Sequence, residues 1–180
     1  MTHVKNDQNT EQGASAMNRR LAIPGVVVAL VAVMLMAGCS ASADAKTYAA
    51  NWVTPTVNGS DVTIPASVVA SKNDVHFKVS TTQGQMGFVA YALNGVTQVR
   101  ARLCVPCRGE SFTLKGDTLV CDACGTIFSA TTGKGIGGVQ ACQSYPKASV
   151  PFTTSADGNI TMKLNDLQTA YDKTLKRLPQ

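Results

Sequence analysis

Two cysteine pairs carry the clearest chemistry in this chain of 180 residues. Cys104 and Cys107 form one Cys-x-x-Cys motif, and Cys121 and Cys124 form a second one after thirteen intervening residues. Thiolates are soft ligands, and two tight turns of this kind can place four of them around one tetrahedral metal centre. No His lies within this stretch. The spacing therefore predicts an all-cysteine metal site, although by itself it does not choose between zinc and iron–sulfur chemistry.

A glycine follows each cysteine pair within two positions, at Gly109 and Gly125. Turns of the Cys-x-x-Cys type commonly place a residue at positive φ, which glycine adopts without strain. We therefore expect these two glycines to relieve the backbone of the two metal-binding turns.

The start of the chain has the features of an export signal. Arg19 and Arg20 precede an apolar run over residues 21–36, and small residues then lead to Cys39. The run is short for a membrane-spanning helix, and its flanks are those of a lipoprotein signal peptide. We predict a signal peptide over residues 1–38, lipidation (diacylglyceryl and palmitate) of Cys39, and a lipidated tether over residues 39–47. This predicts an extracytoplasmic protein that is lipid-anchored to the cell membrane; an uncleaved anchor is the alternative.

The sequence leaves two details of export open, the initiator methionine and the export route. Met1 and Met17 are both candidate initiators, because the residues between them are polar and lack an apolar period. Asn18-Arg19-Arg20-Leu21 is compatible with a twin-arginine signal as well as with the general secretory route.

The remaining chain is only mildly basic. Removing residues 1–38 takes away one Lys and two Arg against one Asp and one Glu, so the formal net charge falls from +5 to +4. Arg100, Arg102 and Arg108 are loosely grouped beside the first cysteine pair, and we interpret them as part of a solvated strand face. Nucleic acid is therefore not an expected partner.

Residues 48–180 show the pattern of a small β domain. Short segments rich in β-formers and mostly alternating, separated by Asn-Gly and Asp-Gly turn signals, predict antiparallel strands and hairpins. Residues 67–71 predict no more than one helical turn. Asn165 or Asp166 is expected to begin a short C-terminal helix. The predicted strands are residues 62–65, 75–79, 86–91, 96–103, 111–114, 118–120, 148–153 and 160–164.

These motifs together resemble the membrane iron–sulfur FtrD-like proteins. The resemblance rests on Cys104-Val-Pro-Cys107, on residues 120–128 around the second pair, and on a glycine-rich segment followed by a fifth cysteine, Cys142. The layout is also similar to a Rieske domain, but His76 is the only His after the signal and lies outside both loops, so Rieske-type His ligation is excluded. The implied fold class is mainly β: a small antiparallel β-sandwich with Rieske-like or rubredoxin-like metal knuckles, forming an FtrD-like domain over residues 48–180.

The resemblance also implies a function. It predicts a membrane-anchored iron–sulfur protein, with a [2Fe–2S] cluster on Cys104, Cys107, Cys121 and Cys124, that transfers electrons in metal uptake or respiration. The expected partner is a membrane-bound redox or metal-transport complex, and the protein is expected to be an electron carrier and not an enzyme. Two alternatives are a structural zinc site in a lipoprotein that acts as a binding module, and a thiol-disulfide redox protein.

Several other residues receive plainer interpretations. Cys142 departs from the family spacing, so it is either an accessory ligand, a redox-exposed thiol or an inert buried residue. His76 is expected to face solvent or a partner strand, and Trp52 is expected to lie in the core. Residues 133–138 are interpreted as a flexible loop covering the metal site, because the segment lacks the ending of a phosphate-binding loop.

Overall fold

The computed structural model describes residues 45–82 and 84–178, and the predicted signal peptide lies outside these residues. The described chain is mainly β, with a helix near its C-terminal end, as the sequence predicts. Three helices are described: α1 (Ala66–Lys72), α2 (Gln140–Gln143) and α3 (Leu164–Leu175). The strands are β1 (Thr47–Tyr48), β2 (Asn51–Trp52), β3 (Thr56–Asn58), β4 (Asp61–Pro65), β5 (Asp74–Thr81), β6 (Gly84–Leu93), β7 (Val96–Ala101), β8 (Phe112–Lys115), β9 (Thr118–Cys121), β10 (Ile127–Ser129), β11 (Gly135–Gly137), β12 (Thr153–Thr154) and β13 (Asn159–Lys163).

The strands form three sheets. The middle sheet has the order β2-β5-β6-β7, the knuckle sheet has the order β1-β8-β9-β10-β11, and the outer sheet has the order β12-β13-β4-β3. Neighbouring strands pair antiparallel, whereas β2 pairs parallel with β5. The prediction of antiparallel sheets is therefore confirmed.

The middle sheet is built from two consecutive hairpins. The β6–β7 hairpin closes with Leu93 opposite Val96, and its turn residues Asn94 and Gly95 have φ values of 51° and 78°. Positive φ at both central positions is the geometry in which an Asn-Gly turn matches the twist of the two strands. The local sequence thus determines the register that carries the chain towards Cys104.

The two faces of the middle sheet contact two different cores. One face supplies Phe77, Phe88 and Ala90 to a core shared with β4, β13 and α3. The opposite face supplies Val89 and Tyr91 to a core shared with the knuckle sheet and three of the cysteines. Because both faces are covered, polar residues in the central part of these strands, such as His76 and Arg100, are buried.

Two helices differ from the sequence prediction. Helix α1 has seven residues, more than the single turn expected, and it ends at Asn73 in the left-handed region with φ of 60°. Helix α3 begins at Leu164 after Lys163, just ahead of the predicted cap, and it buries Leu167, Ala170 and Thr174. In both cases, packing against a sheet stabilises turns that propensity alone would leave unformed.

Candidate metal centre

The two Cys-x-x-Cys motifs adopt the same backbone pattern, which we call the first knuckle (residues 104–109) and the second knuckle (residues 121–126). The N–H of Cys104 donates to the carbonyl of Gly109 at 2.9 Å, and the N–H of Cys121 donates to the carbonyl of Thr126 at 2.9 Å. The first knuckle follows β7, and the second begins on the last residue of β9. The β8–β9 hairpin therefore returns the second cysteine pair to the side of the first.

Positive φ occurs directly after the second cysteine of each knuckle. Gly125 takes this position with φ of 68°, as the sequence predicts, but in the first knuckle it is Arg108, with φ of 56°. Gly109 is needed for a different reason, because a Cβ at this position would lie 2.6 Å from the Sγ of Cys121. Its N–H also lies 3.4 Å from the Sγ of Cys107 and donates to it. Gly109 therefore allows the backbone to approach these sulfur atoms closely, and it does not relieve backbone strain.

Five thiols converge between the knuckles. The Sγ atoms of Cys104, Cys107, Cys124 and Cys142 all lie within 4.8 Å of one another. Cys121 joins them, since its Sγ lies 3.8 Å from the Sγ of Cys107. The Sγ–Sγ distances are also 3.8 Å between Cys104 and Cys124 and between Cys124 and Cys142. Cys142, whose role the sequence left open, is both buried and part of this cluster.

The sulfur spacings suit metal ligation. Sulfurs bound at about 2.3 Å to one tetrahedral ion lie about 3.8 Å apart, which is the spacing of the pairs Cys104–Cys124, Cys107–Cys121 and Cys124–Cys142. All five cysteines are free thiols, so each can supply a thiolate. A donor set of sulfur alone selects zinc or iron over the hard cations. The residues present therefore fit a thiolate-bound zinc or iron centre.

Crowding of the thiols moves their pKa values in opposite directions. The hydrogen bond with Cys121, followed by burial, raises the pKa of Cys104 far above its ordinary value. The same hydrogen bond, together with backbone N–H groups of the second knuckle, lowers the pKa of Cys121 to about 5 against the effect of burial. Burial raises the pKa of Cys107 to about 11. These hydrogen bonds favour the thiolate form of Cys121, whereas a metal that binds Cys104 and Cys107 has to displace their protons.

A hydroxyl group also contacts a sulfur of the second knuckle. The Oγ1 of Thr126, a buried residue, lies 3.1 Å from the Sγ of Cys124. Burial opposes ionisation of Cys124, but the side chain and backbone N–H of Thr126 lower its pKa overall. Both groups favour the thiolate form that a metal binds.

The glycine-rich segment over residues 133–138 packs tightly against the centre's surroundings. A Cβ on Gly138 would lie 2.7 Å from the Cα of Thr126, and a Cβ on Gly135 would lie 2.4 Å from the Cα of Gln143. Part of the segment is β11, which pairs with β10. The prediction of a flexible loop is therefore wrong: its glycines allow close packing between the second knuckle and the helix that carries Cys142.

Two of the three arginines near the first knuckle are buried, which corrects the interpretation of a solvated strand face. Arg100 and Arg102 are 3% and 1% exposed, whereas Arg108 is exposed. Arg100 donates to the hydroxyl of Tyr91 at 2.8 Å and to the carbonyl of Lys147 at 3.0 Å. The reason for their burial is that the knuckle sheet covers this face of the middle sheet.

His76 and Trp52 also differ from expectation. His76 is fully buried, and its Nε2 lies 3.0 Å from the Oδ1 of Asp74, whose other oxygen accepts the N–H of Leu114 at 3.0 Å. This link joins the middle sheet to the knuckle sheet. Trp52 is 51% exposed and not in the core, because it lies at the sheet edge over the guanidinium of Arg102, with 4.1 Å between that group and the ring centroid.

Comparison with protein families identifies a match for the described domain. Residues 69–173 match the family described as membrane iron-sulfur containing protein FtrD-like, in agreement with the resemblance seen in the cysteine motifs. Comparison with curated proteins and with solved structures gives no match. Over residues 45–82 and 84–178, no helix has the length and apolar character required to cross a membrane.

Proposed function

Because the chain belongs to the FtrD-like family of membrane iron–sulfur proteins, we propose that its cysteine centre carries single electrons and performs no substrate chemistry. The observation that carries this proposal is the convergence of the thiols: Cys104, Cys107, Cys124 and Cys142 lie within 4.8 Å of one another, and Cys121 lies 3.8 Å from Cys107. Four thiolates fill every position of a tetrahedral centre, so a substrate or an activated water has no position to bind. An electron, in contrast, needs only a partner close to the centre.

The proposed ligands are Cys104, Cys107, Cys121 and Cys124, with Cys142 as an accessory thiol. The shared hydrogen-bond pattern of the two knuckles supports this set, because it presents both pairs in the same way. Cys142 lies on α2, outside the knuckles, but its Sγ is as close to Cys124 as the knuckle sulfurs are to each other. It is therefore placed to replace a knuckle ligand or to contact the centre.

The finer expectation of a [2Fe–2S] cluster has a structural consequence. A cluster of two irons would take two sulfurs on each iron, and sulfurs on different irons would lie farther apart than sulfurs on one iron. Cys104, Cys107 and Cys124 lie within 4.8 Å of one another, so two irons would require these sulfurs to move apart, whereas a single ion fits the present spacing. Counting iron and acid-labile sulfide per chain distinguishes these two forms.

Structural zinc is the second candidate, and the same spacing favours it, since zinc with four cysteines is tetrahedral. Such a centre would stabilise the domain and leave function to another surface. A thiol-disulfide protein is a weaker candidate, because neither knuckle places its first cysteine at a helix N-terminus, the position that activates such thiols.

Electron exchange would occur at the less buried edge of the centre. Cys107 and Cys124 are partly exposed, whereas Cys104, Cys121 and Cys142 are buried. A membrane-bound redox or metal-transport complex would therefore approach the side of Cys107 and Cys124. Arg100 and Arg102 cannot contribute to docking because they are buried, which leaves Arg108 as the exposed arginine of this group, next to Cys107.

The proposal includes anchoring at the extracytoplasmic face of the membrane. Lipidation of Cys39 after removal of residues 1–38 would hold the domain at the surface on the tether over residues 39–47. Two acyl chains give stable anchoring, which a domain with little net charge does not achieve by electrostatics. This places the electron carrier beside membrane-bound partners.

Metal analysis of anaerobically purified protein tests the proposal. We expect iron, with a visible thiolate-to-iron absorption that disappears in Cys121→Ala, and a milder effect in Cys142→Ala. If Cys142→Ala removes the absorption as completely as Cys121→Ala, Cys142 is a ligand and the knuckle set is wrong. One zinc and no iron in every preparation contradicts the electron-transfer function.

A further inference from the structure

The described part of the chain buries more positive than negative charge. Arg100, Arg102 and Lys147 are buried cations, and Asp74 is the buried carboxylate. Among these side chains, three cations against one carboxylate leave an excess of two positive charges. Asp74 already accepts hydrogen bonds from the middle and knuckle sheets. The ion pairs that Lys78 and Lys163 make with acidic residues involve other, partly exposed cations.

Such an excess is unfavourable unless an opposite charge lies nearby. The thiol cluster can provide it, since four thiolates around a dication form a dianion. On an iron centre, the reduced state would carry one more negative charge than the oxidised state. The buried cations and the cysteine centre are therefore complementary in sign, and the charge of the loaded centre is of the size that the excess requires.

Lys147 is the cation that the fold directs to the centre. Its Nζ donates to the carbonyl of Leu103 at 2.7 Å and to the carbonyl of Tyr145 at 2.9 Å. Leu103 immediately precedes Cys104, and Tyr145 lies three residues after Cys142. The ammonium group therefore joins the two segments that deliver these cysteines. With two of its three protons donated to carbonyls, its full charge has no carboxylate partner among the described residues.

The Lys147 ammonium is buried beside two aromatic rings. Its Nζ lies 4.3 Å from the ring centroid of Phe128 and 5.6 Å from that of Phe112. Burial lowers the pKa of Lys147 to about 8, while the nearby thiols, Cys104 and Cys121 foremost, act to raise it. Charge interactions are stronger in such surroundings than in water.

The other two buried cations make different contacts, and the guanidinium nitrogens of Arg102 have no hydrogen-bond partner among the described residues. Arg100 donates to the hydroxyl of Tyr91 and to the backbone carbonyls of Ala130, Thr131 and Lys147. The guanidinium of Arg102 lies between the ring of Trp52 and Gly87, where an added Cβ would come within 3.1 Å of it. Arg100 thus supports the backbone of Lys147, and Lys147 alone of the three bonds to the chain next to a cysteine of the centre.

We propose that Lys147 is the internal counter-ion of the cysteine centre, a positioning residue that favours the more negative, reduced state and increases metal retention. A cation near the centre stabilises the reduced state more than the oxidised state, because the reduced state carries one more negative charge. Lys147 therefore raises the midpoint potential. This inference uses the proposed electron-carrier function for its redox part, whereas its metal-retention part holds for zinc as well as for iron.

The test compares neutral and charged replacements in the full, loaded protein. Lys147→Gln and Lys147→Met remove the charge, Lys147→Arg keeps it, and Lys134→Gln removes an exposed charge from the glycine-rich segment as a matched control. We expect the neutral variants to shift the one-electron equilibrium at least tenfold towards the oxidised form, about 59 mV lower in midpoint potential. Metal loss to a chelator should accelerate at least tenfold in the same variants, and Lys147→Arg and the control should stay near the parent protein.

The outcomes separate the inference from the proposed function. If the parent protein contains zinc and gives no redox response, the electron-carrier proposal fails. The counter-ion role of Lys147 is then tested only by the rate of metal loss to a chelator. Equal potentials and equal metal loss in Lys147→Gln and Lys134→Gln overturn the counter-ion role. If the neutral variants cannot hold the centre, retention in Lys147→Arg supports the role of charge, and loss in all three Lys147 variants shows that packing alone is responsible.

Discussion

The Oγ1 of Thr126 lies 3.1 Å from the Sγ of Cys124, so the second knuckle carries its own hydroxyl donor to sulfur. Thr126 is fully buried and follows Gly125 at the end of the knuckle. Hydrogen bonds to metal-bound sulfur reduce its negative charge and stabilise the reduced state of an iron centre. In the proposed iron centre, the side chain would therefore contribute to redox tuning as well as to packing.

Thr126→Val should lower the midpoint potential while preserving the fold, since valine has nearly the same shape and lacks the hydroxyl. We expect a decrease on the order of tens of millivolts, because a tenfold change in a one-electron equilibrium is about 59 mV. Voltammetry measures it, and Thr126→Ser is the control that keeps the donor. A potential in Thr126→Val equal to that of Thr126→Ser would show that this contact has no electronic effect.

Gly109→Ala should strongly reduce metal content, because the added Cβ would lie 2.6 Å from the Sγ of Cys121 and 3.2 Å from that of Cys107. Either the first knuckle or a ligand has to move, and metal binding at such a site is coupled to folding. Metal stoichiometry and thermal unfolding of the purified variant measure the effect.

The matched control for Gly109→Ala is Gly137→Ala. Gly137 has no positive φ, and a Cβ there would make an ordinary contact of 3.4 Å with Ile127. Its metal content should stay near that of the parent protein. Full loading of Gly109→Ala would contradict the close approach of this backbone to sulfur.

Tyr91 should make the domain less stable at alkaline pH. Burial raises the pKa of Tyr91 to about 12, although the nearby Arg100 acts to lower it. Between pH 10 and 12 the unfolded chain loses the phenol proton and the native state keeps it, so the free energy of unfolding falls, by about 2–3 kcal/mol in total. Below pH 10 both states are protonated and the effect is absent.

Denaturant unfolding of the parent protein and of Tyr91→Phe across this pH range measures the Tyr91 contribution. The parent should show the steeper loss of stability, and its alkaline titration should contain a late tyrosinate step that Tyr91→Phe lacks. Identical pH slopes in the two proteins would contradict the burial of this phenol. Tyr171, whose pKa burial also raises, is present in both proteins and cancels in the comparison.

Cys39→Ala should release the protein from the membrane fraction, because lipid attachment at Cys39 is the anchor that the sequence predicts. Fractionation followed by intact-mass analysis measures this, with Cys142→Ala as a cysteine control that should stay at the membrane. A mature parent protein that retains Arg19 and Arg20 would contradict cleavage before Cys39.

The parts of the molecule that the sequence predicted are the local ones. The Asn94-Gly95 turn and the two Cys-x-x-Cys motifs specify their own backbone, so the hairpins and the grouping of the knuckle cysteines followed from short patterns. Cys142 had no such signal. It joins the cluster through the tight packing of Gly135 and Gly138 against residues distant in sequence.

Burial of charge was the part that sequence patterns missed. Arg100 and His76 occur on strands of alternating polarity, which predicts that one face of the sheet is exposed to solvent. The middle sheet is instead covered on both faces. The near-continuous apolar run of β6, with six consecutive buried residues from Met86 to Tyr91, was the available indication of a doubly covered strand. Lys147 had no comparable signal, because its role depends on three segments that meet only in the fold.

Protein-film voltammetry of the membrane-extracted protein is the most direct test of the central claim. We predict a reversible one-electron response that is lost in Cys104→Ala, because the proposed function of this closed thiolate site is electron transfer. A silent electrode for protein that contains one zinc and no iron per chain would contradict the account and identify the four-cysteine centre as structural.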